Sequence, residues 1–372
     1  MTAFKESLEK ARARRRAPDS LVKSAMVLDA KTTVISMESI SEALHADAAQ
    51  IKGGDACSYT RLCMQPVSSK LTKISLDQGE RVKAQLQRGL TTKNCPFELR
   101  YQGSIPMDVH IRATHDVDLL VIGTRYITVD WSAPLAKERY TPRGDISIPS
   151  WLLSLRKKSI DILVAAYPAA DVDTSGAKSI ALSGGSLARK IDVVPSCWHH
   201  SATYQSSDVE KDKGISIVDA KDNSTPTNYP FVVRHVVDTK DSLTSGGAKR
   251  IIRLLKSLKE DAGYPIALSS FDIVSLVCHI PNSEITNTPR YPFAIVDGAL
   301  SALTMMAGSG ALYALKTADE TRLIFDQQSK KDGFAVLLRA LSLLCDAIAA
   351  EITSTGFPVL DRKRILREHI EY

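Results

Sequence analysis

The sequence predicts an α+β fold, a sheet lobe packed against a helical lobe with a cleft between them, on three observations. Apolar residues recur at helical spacing through most of the first 95 positions. From Pro96 the pattern changes to short β-branched and aromatic runs. After about Val237 helical spacing returns and persists. The chain is divided accordingly into a helical arm or platform (1–95), a core (96–236) and a C-terminal helical domain (237–372). At 372 residues, 44% hydrophobic and 24% charged, it has material for two or three packed units and the composition of neither a fibrous nor a disordered protein.

Taken in order, the expected elements begin with helices over Phe4 to Arg15, around Ile35 to Gln50, and over Asp77 to Gly89. β-Like runs follow at Phe97 to Gln102, Met107 to Arg112, Val117 to Gly123, Ile191 to Ser196 and Gly214 to Ala220, with a helix over Trp151 to Ala166 among them. Ser183-Gly184-Gly185-Ser186 reads as the turn into the Ile191 run, and Thr244-Ser245-Gly246-Gly247 as a helix cap. Helices are expected over Gly247 to Asp261, Ser270 to His279, Tyr291 to Ala307 and Gly333 to Thr353, before a basic tail from Asp361 to His369.

The net charge of +6 is a mild excess, suited to a polyanionic small molecule rather than to duplex binding. Six cysteines with no C-x-x-C pair argue for reduced, packed thiols. The first sixteen residues lack the apolar segment of a secretory signal, and no apolar run approaches the roughly 18 residues of a bilayer span. A cytoplasmic protein that does not use a membrane is expected.

The chemistry is concentrated in Tyr101-Gln102-Gly103-Ser104, an eleven-residue spacer, and Asp116-Val117-Asp118-Leu119-Leu120-Val121-Ile122. Side chains two apart on a strand share a face, about 6.5 Å apart along it. Asp116 and Asp118 therefore project together while Val117 and Leu119 enter the opposite side. Alone, such a pair also describes two solvated acids at a strand start. A second feature changes the weighing: in Ile191-Asp192-Val193-Val194 one acid interrupts a β-branched run, where a carboxylate is costly unless a cation meets it. If the two strands are neighbours, three carboxylates converge and suit two Mg²⁺ ions for in-line transfer at phosphorus. Gly103 permits close backbone approach, and the Ser104 hydroxyl with nearby amides suits the β- and γ-phosphates of a nucleotide.

Gly-Ser, this spacer, D-h-D and a later h-D-h resemble the nucleotidyltransferase superfamily of the DNA polymerase β type. The resemblance is strongest to the cyclic GMP-AMP synthase-like second-messenger synthases, called CD-NTases in bacteria, and covers about residues 97–281. Arg250 to Lys259 resembles that family's lobe-two helix, and Ser269-Ser270-Phe271 its Ser-Ser-aromatic turn. The resemblance implies a polymerase β-type sheet lobe against a helical lobe, with Asp116, Asp118 and Asp192 as catalytic metal ligands for two Mg²⁺ ions or Mn²⁺ in their place. It implies that Gly103, Ser104, Lys256 and Ser270 hold the triphosphate and that Phe271, where the family more often has Tyr, stacks on a base. Nucleoside triphosphates would be the substrates, a cyclic or short linear oligonucleotide the product, and bacterial antiphage signalling of the CBASS type the setting. A regulatory protein partner fits that setting; a nucleic-acid activator is left open. Two rival functions remain at this point: transfer to an RNA or protein acceptor, and a nucleotide sensor without catalysis.

Other clusters carry less. Cys197, His199 and His200 lack a fourth zinc ligand and read as a strand-end cluster beside the active site. His115 reads as a surface histidine. The basic runs Arg12, Arg14, Arg15, Arg16 and Arg362, Lys363, Arg364, Arg367 read as solvated helix faces, with nucleic-acid or protein contact as the alternative.

Overall fold

The computed structural model describes residues 4–15, 54–112, 116–353 and 361–370. The helix expected around Ile35 to Gln50, with Arg16 and His115, falls outside these. Helices α1 (Lys5–Arg15), α2 (Asp55–Met64) and α3 (Ser69–Thr92) precede the sheet. Its strands are β1 (Phe97–Gln102), β2 (Val117–Val129), β3 (Asp171–Asp173), β4 (Ile180–Gly184), β5 (Leu187–His200), β6 (Gly214–Ile217) and β7 (Thr227–Asn228), with α4 (Ile148–Ala166) joining β2 towards β3. The strand order is β1-β2-β5-β4-β3, with β6 on the far half of β5 and β7 on β6. Among the described strands only the β2–β5 pair is parallel. The helical lobe follows as α5 (Pro230–Leu243), α6 (Gly247–Asp261), α7 (Ser270–His279), α8 (Ala294–Gly308), α9 (Gln328–Thr353) and α10 (Arg362–Glu368).

Strand alternation positions the site. Val117, Leu119 and Val121 of β2, with Ile191 and Val193 of β5, pack on α3 and α4 through Val82, Leu86, Leu152 and Leu155. The intervening residues Leu120, Ile122 and Val194 form a smaller cluster on the opposite face, with Trp198, Ile215 and Ile217. Asp118 and Asp192 fall on that second face, because a strand turns successive side chains to opposite sides. The β4–β5 hairpin turns on Gly184 and Gly185, both with positive φ, as the Ser-Gly-Gly-Ser run predicts.

The Met107 to Arg112 run, expected as a strand, is irregular. Asp108 adopts φ 55° and Val109 donates its N–H to the Ser104 carbonyl, so the run turns back on itself instead of extending. Its carbonyls are instead taken by the helical lobe: Arg253 bonds Asp108 O, and the Lys256 ammonium donates to Val109 O at 2.8 Å. His110 Nε2 lies 3.0 Å from Thr72 Oγ1, and Arg112 pairs with Glu260. The segment thereby ties the two lobes together. β6 also ends earlier than expected, at Ile217, where Asp219 to Asn223 closes a turn.

The first 95 residues divide their packing between both cores. Leu8, Ala11, Tyr59 and Leu62 join the helical-lobe core, whereas Val82, Leu86 and Leu90 lie under the sheet. The basic runs are correspondingly less solvated than the sequence suggests. Arg14 pairs with the Asp261 carboxylate, and Arg15 is buried against the carbonyls of Gln65 and Pro66. Arg367 bonds Asp297 and Glu284, each at 2.7 Å, and Arg362 bonds Asp346 at 2.8 Å. One helix, α9, has the length and composition of a membrane span, where the sequence reading found none. Here its Phe334, Leu337, Leu341, Leu344 and Ile348 are buried in the helical-lobe core.

Candidate active site

The parallel β2–β5 ladder sets Asp118 directly opposite Asp192, and the antiparallel β1–β2 ladder sets Gln102 opposite Asp118. Acids 74 positions apart in the chain thus become neighbours at the mouth of the sheet. Gly103 follows β1 with φ 83°, and a Cβ on it would run into the Asp118 carboxylate. Only glycine serves here, for both reasons. Asp116 stands just ahead of β2, its side chain 43% exposed.

Lys190, two positions before Asp192 and on the same face, reaches across the acids. Its ammonium lies 3.2 Å from Asp116 Oδ2 and 3.0 Å from Asp192 Oδ2. Among the described residues no three acids, histidines or cysteines are already drawn together around a common point for an ion. The donor set nevertheless suits a hard cation. Asp192 Oδ1 is buried with no hydrogen-bond partner among the described residues. Burial, and then the charges of Asp192 and Asp116, push the Asp118 carboxyl up to about 7. Both features mark negative charge that the protein alone does not fully offset.

A cleft of about 350 Å³ opens beside these groups, walled by the Gly103-Ser104 turn and Asp118 on one side and by Lys256, Ser270, Phe271 and Val274 on the other. Lys256, on α6, is 3% exposed, and burial holds its ammonium down to about 8. Of the serine pair that opens α7, Ser269 is the cap: its hydroxyl and N–H meet Asp272 Oδ2 at 2.7 and 2.8 Å, and the Asp272 N–H returns a bond to Ser269 Oγ. That leaves Ser270 facing the cleft. Arg322 bonds the fully buried Asp272 at 2.7 Å and lays its guanidinium 5.7 Å from the centre of the Phe271 ring. The structure brings the eight expected site residues to one region.

Sequence reasoning missed several neighbours. Lys190 was legible, since its i−2 spacing from Asp192 puts it on the acid face. Asn228, at the end of the two-residue strand β7, Tyr229, just before α5, and Asp319, in a turn, also line the cleft, with no spacing signal in the sequence. The Cys197, His199, His200 group, expected beside the site, lies instead at the far end of β5. There His199 bonds Thr128 and His200 bonds Tyr140, at 2.9 and 2.8 Å.

A mixed sheet with paired acids on adjacent strands, a glycine-serine turn above them and a helical lobe across a cleft defines a nucleotidyltransferase of the polymerase β type. No family model matches the sequence. The cyclic dinucleotide synthase CdnE of Yersinia aleksiciae is 32% identical over 327 residues, covering 86% of this chain and 84% of that one. The structure of a STING-associated CdnE c-di-GMP synthase from Capnocytophaga granulosa superposes with a TM-score of 0.71 at 25% identity, over 92% of this chain and 97% of that one. The fold is also that of the Rhodothermus marinus CdnE c-UMP-AMP synthase solved with Apcpp and Upnpp, at a TM-score of 0.60, 16% identity, and 80% and 96% coverage. The chain belongs to the CdnE cyclic dinucleotide synthases, a branch of the CD-NTases, and is a nucleotidyltransferase that makes a cyclic oligonucleotide second messenger.

Proposed function

We propose that the chain condenses two nucleoside triphosphates into a cyclic dinucleotide, with release of two pyrophosphates, in the cytoplasm where those triphosphates are made. The observation that carries this reading is the Asp118–Asp192 register beside Gly103, facing a cleft shared with Lys256, Ser270 and Phe271. Asp116, Asp118 and Asp192 would hold two Mg²⁺ ions, which when bound supply charge neutralisation at the triphosphate and a lowered pKa for the attacking ribose hydroxyl.

The remaining work falls to the chain. Gly103 lets the donor triphosphate come against backbone, with the Ser104 and Ser270 hydroxyls as hydrogen-bond donors. Lys256 offers its ammonium to the same phosphates, exchanging the Val109 carbonyl for a formal anion. Phe271, steadied from behind by the Arg322–Asp272 pair, presents a ring to a base. Asp192, with one oxygen unpartnered, is placed to accept the proton of the attacking hydroxyl. The c-di-GMP synthases among its relatives make guanine the first base to try.

Purified chain incubated with labelled triphosphates and Mg²⁺, treated with phosphatase and resolved by chromatography, tests the reading. A phosphatase-resistant cyclic dinucleotide is expected from triphosphates alone and is lost in Asp118→Asn and Asp192→Asn. A product that appears only when RNA or protein is added would replace it with the acceptor-modifying reading.

A further inference from the structure

A second cavity, of about 750 Å³, lies at the other end of β2. It is lined by Arg125, Tyr126, Trp131, Arg139, Tyr140 and Arg143 among others, and by no acidic residue. From Asp118 to Tyr126 is eight residues of strand, on the order of 25 Å at about 3.3 Å each. The cavity is therefore separate from the catalytic cleft and twice as roomy.

Its chemistry is specific. Arg139 is paired with the Asp208 carboxylate and also donates to the Gln205 carbonyl. Arg125 and Arg143 meet no carboxylate among the described contacts; Arg125 lies over the Tyr126 ring at 5.4 Å. The two tyrosines are held from behind, Tyr126 edge-on to Trp151 at 5.1 Å and Tyr140 through its hydroxyl to His200. Trp131 is 44% exposed, a large flat ring in water. The β2–β5 ladder also lapses between Gly123 and Thr128, so the backbone here is not committed to that pairing. Unpaired guanidiniums beside exposed aromatic faces match a phosphate joined to a base. An acidic peptide would leave Trp131 without a purpose, and an apolar ligand would strand the arginines.

We propose that this cavity is a second nucleotide site, taking a phosphate on Arg125 and Arg143 and a base against Trp131. A free nucleotide and a short single-stranded RNA present the same chemistry, and the test separates them. The full chain, held in EDTA to stop turnover, is titrated with labelled guanosine triphosphate and, separately, with a short labelled single-stranded RNA, and bound equivalents are counted. R125A/R143A and W131A are compared with wild type, after their melting temperatures confirm that these surface changes leave the fold intact. If a free nucleotide is the ligand, wild type binds one equivalent of the triphosphate more than each variant does. If a strand is the ligand, RNA affinity falls about tenfold or more in each variant, and in R125A/R143A the slope of log affinity on log salt drops by about 1.4, near 0.7 per lost phosphate contact. Variants that bind both probes as wild type does would overturn the proposal.

Discussion

The proton on Asp118 is what a metal-free preparation reports first. Its carboxyl titrates near 7 in the folded chain against about 3.9 unfolded. Between those values the native state binds more protons than the unfolded one, so stability falls as pH rises from about 4 to about 7 and stays low above. Asp118→Asn is expected to flatten that profile and to raise the melting temperature at pH 8 by about 2–5 °C without metal, while added Mg²⁺ stabilises only the wild type. Scanning calorimetry from pH 4 to 8 checks both. Lys256 runs the other way: its ammonium is lost as pH rises through about 8. Triphosphate affinity should fall by about tenfold between pH 7.5 and 9.5 and be weak but flat in Lys256→Met, by calorimetric titration. Gly103→Ala forces a Cβ into the left-handed region and against Asp118. It should cost about 1–3 kcal/mol in stability and at least about a hundredfold in turnover, read from urea denaturation and product formation. The acids and this glycine were legible because each is an anomaly in its local pattern, an acid in an apolar run or a glycine after a strand. Asn228, Tyr229 and Asp319 break no pattern and were not.

At the scale of elements, α6 and α7 fall where the sequence places them, over Gly247–Asp261 and Ser270–His279, because caps and apolar spacing agree. Gly246 at φ 84° and the Thr244 hydroxyl begin the first; the Ser269–Asp272 box begins the second. Removing the box in Ser269→Ala should cost about 1 kcal/mol and, by loosening the Ser270-Phe271 turn, raise KM for triphosphate more than it lowers kcat. Steady-state kinetics beside a denaturation curve separates the two effects. Met107 to Arg112 misled because its apolar residues imitate a strand, while its backbone partners, Arg253 and Lys256, lie some 145 residues away. Local pattern does not encode such partners.

For the whole molecule, the polymerase β-type architecture was legible through its motifs, but the distribution of the N-terminal helices was not, since Arg14 finds Asp261 only after the chain has folded back. The lobes meet through the 103–112 segment, where Arg253, 4% exposed, bonds Met64 O and Asp108 O. Arg253→Ala leaves the buried Met64 carbonyl and the partly buried Asp108 carbonyl short of a donor and should cost about 2–3 kcal/mol, seen as a lower urea midpoint. At the acid cluster, Lys190 is held differently: 43% of its side chain is open to water, and it is tied to the acids by its ammonium rather than locked by packing. The fold thus seats its own counter-ion among the acids, one that any cation entering the cluster would have to displace.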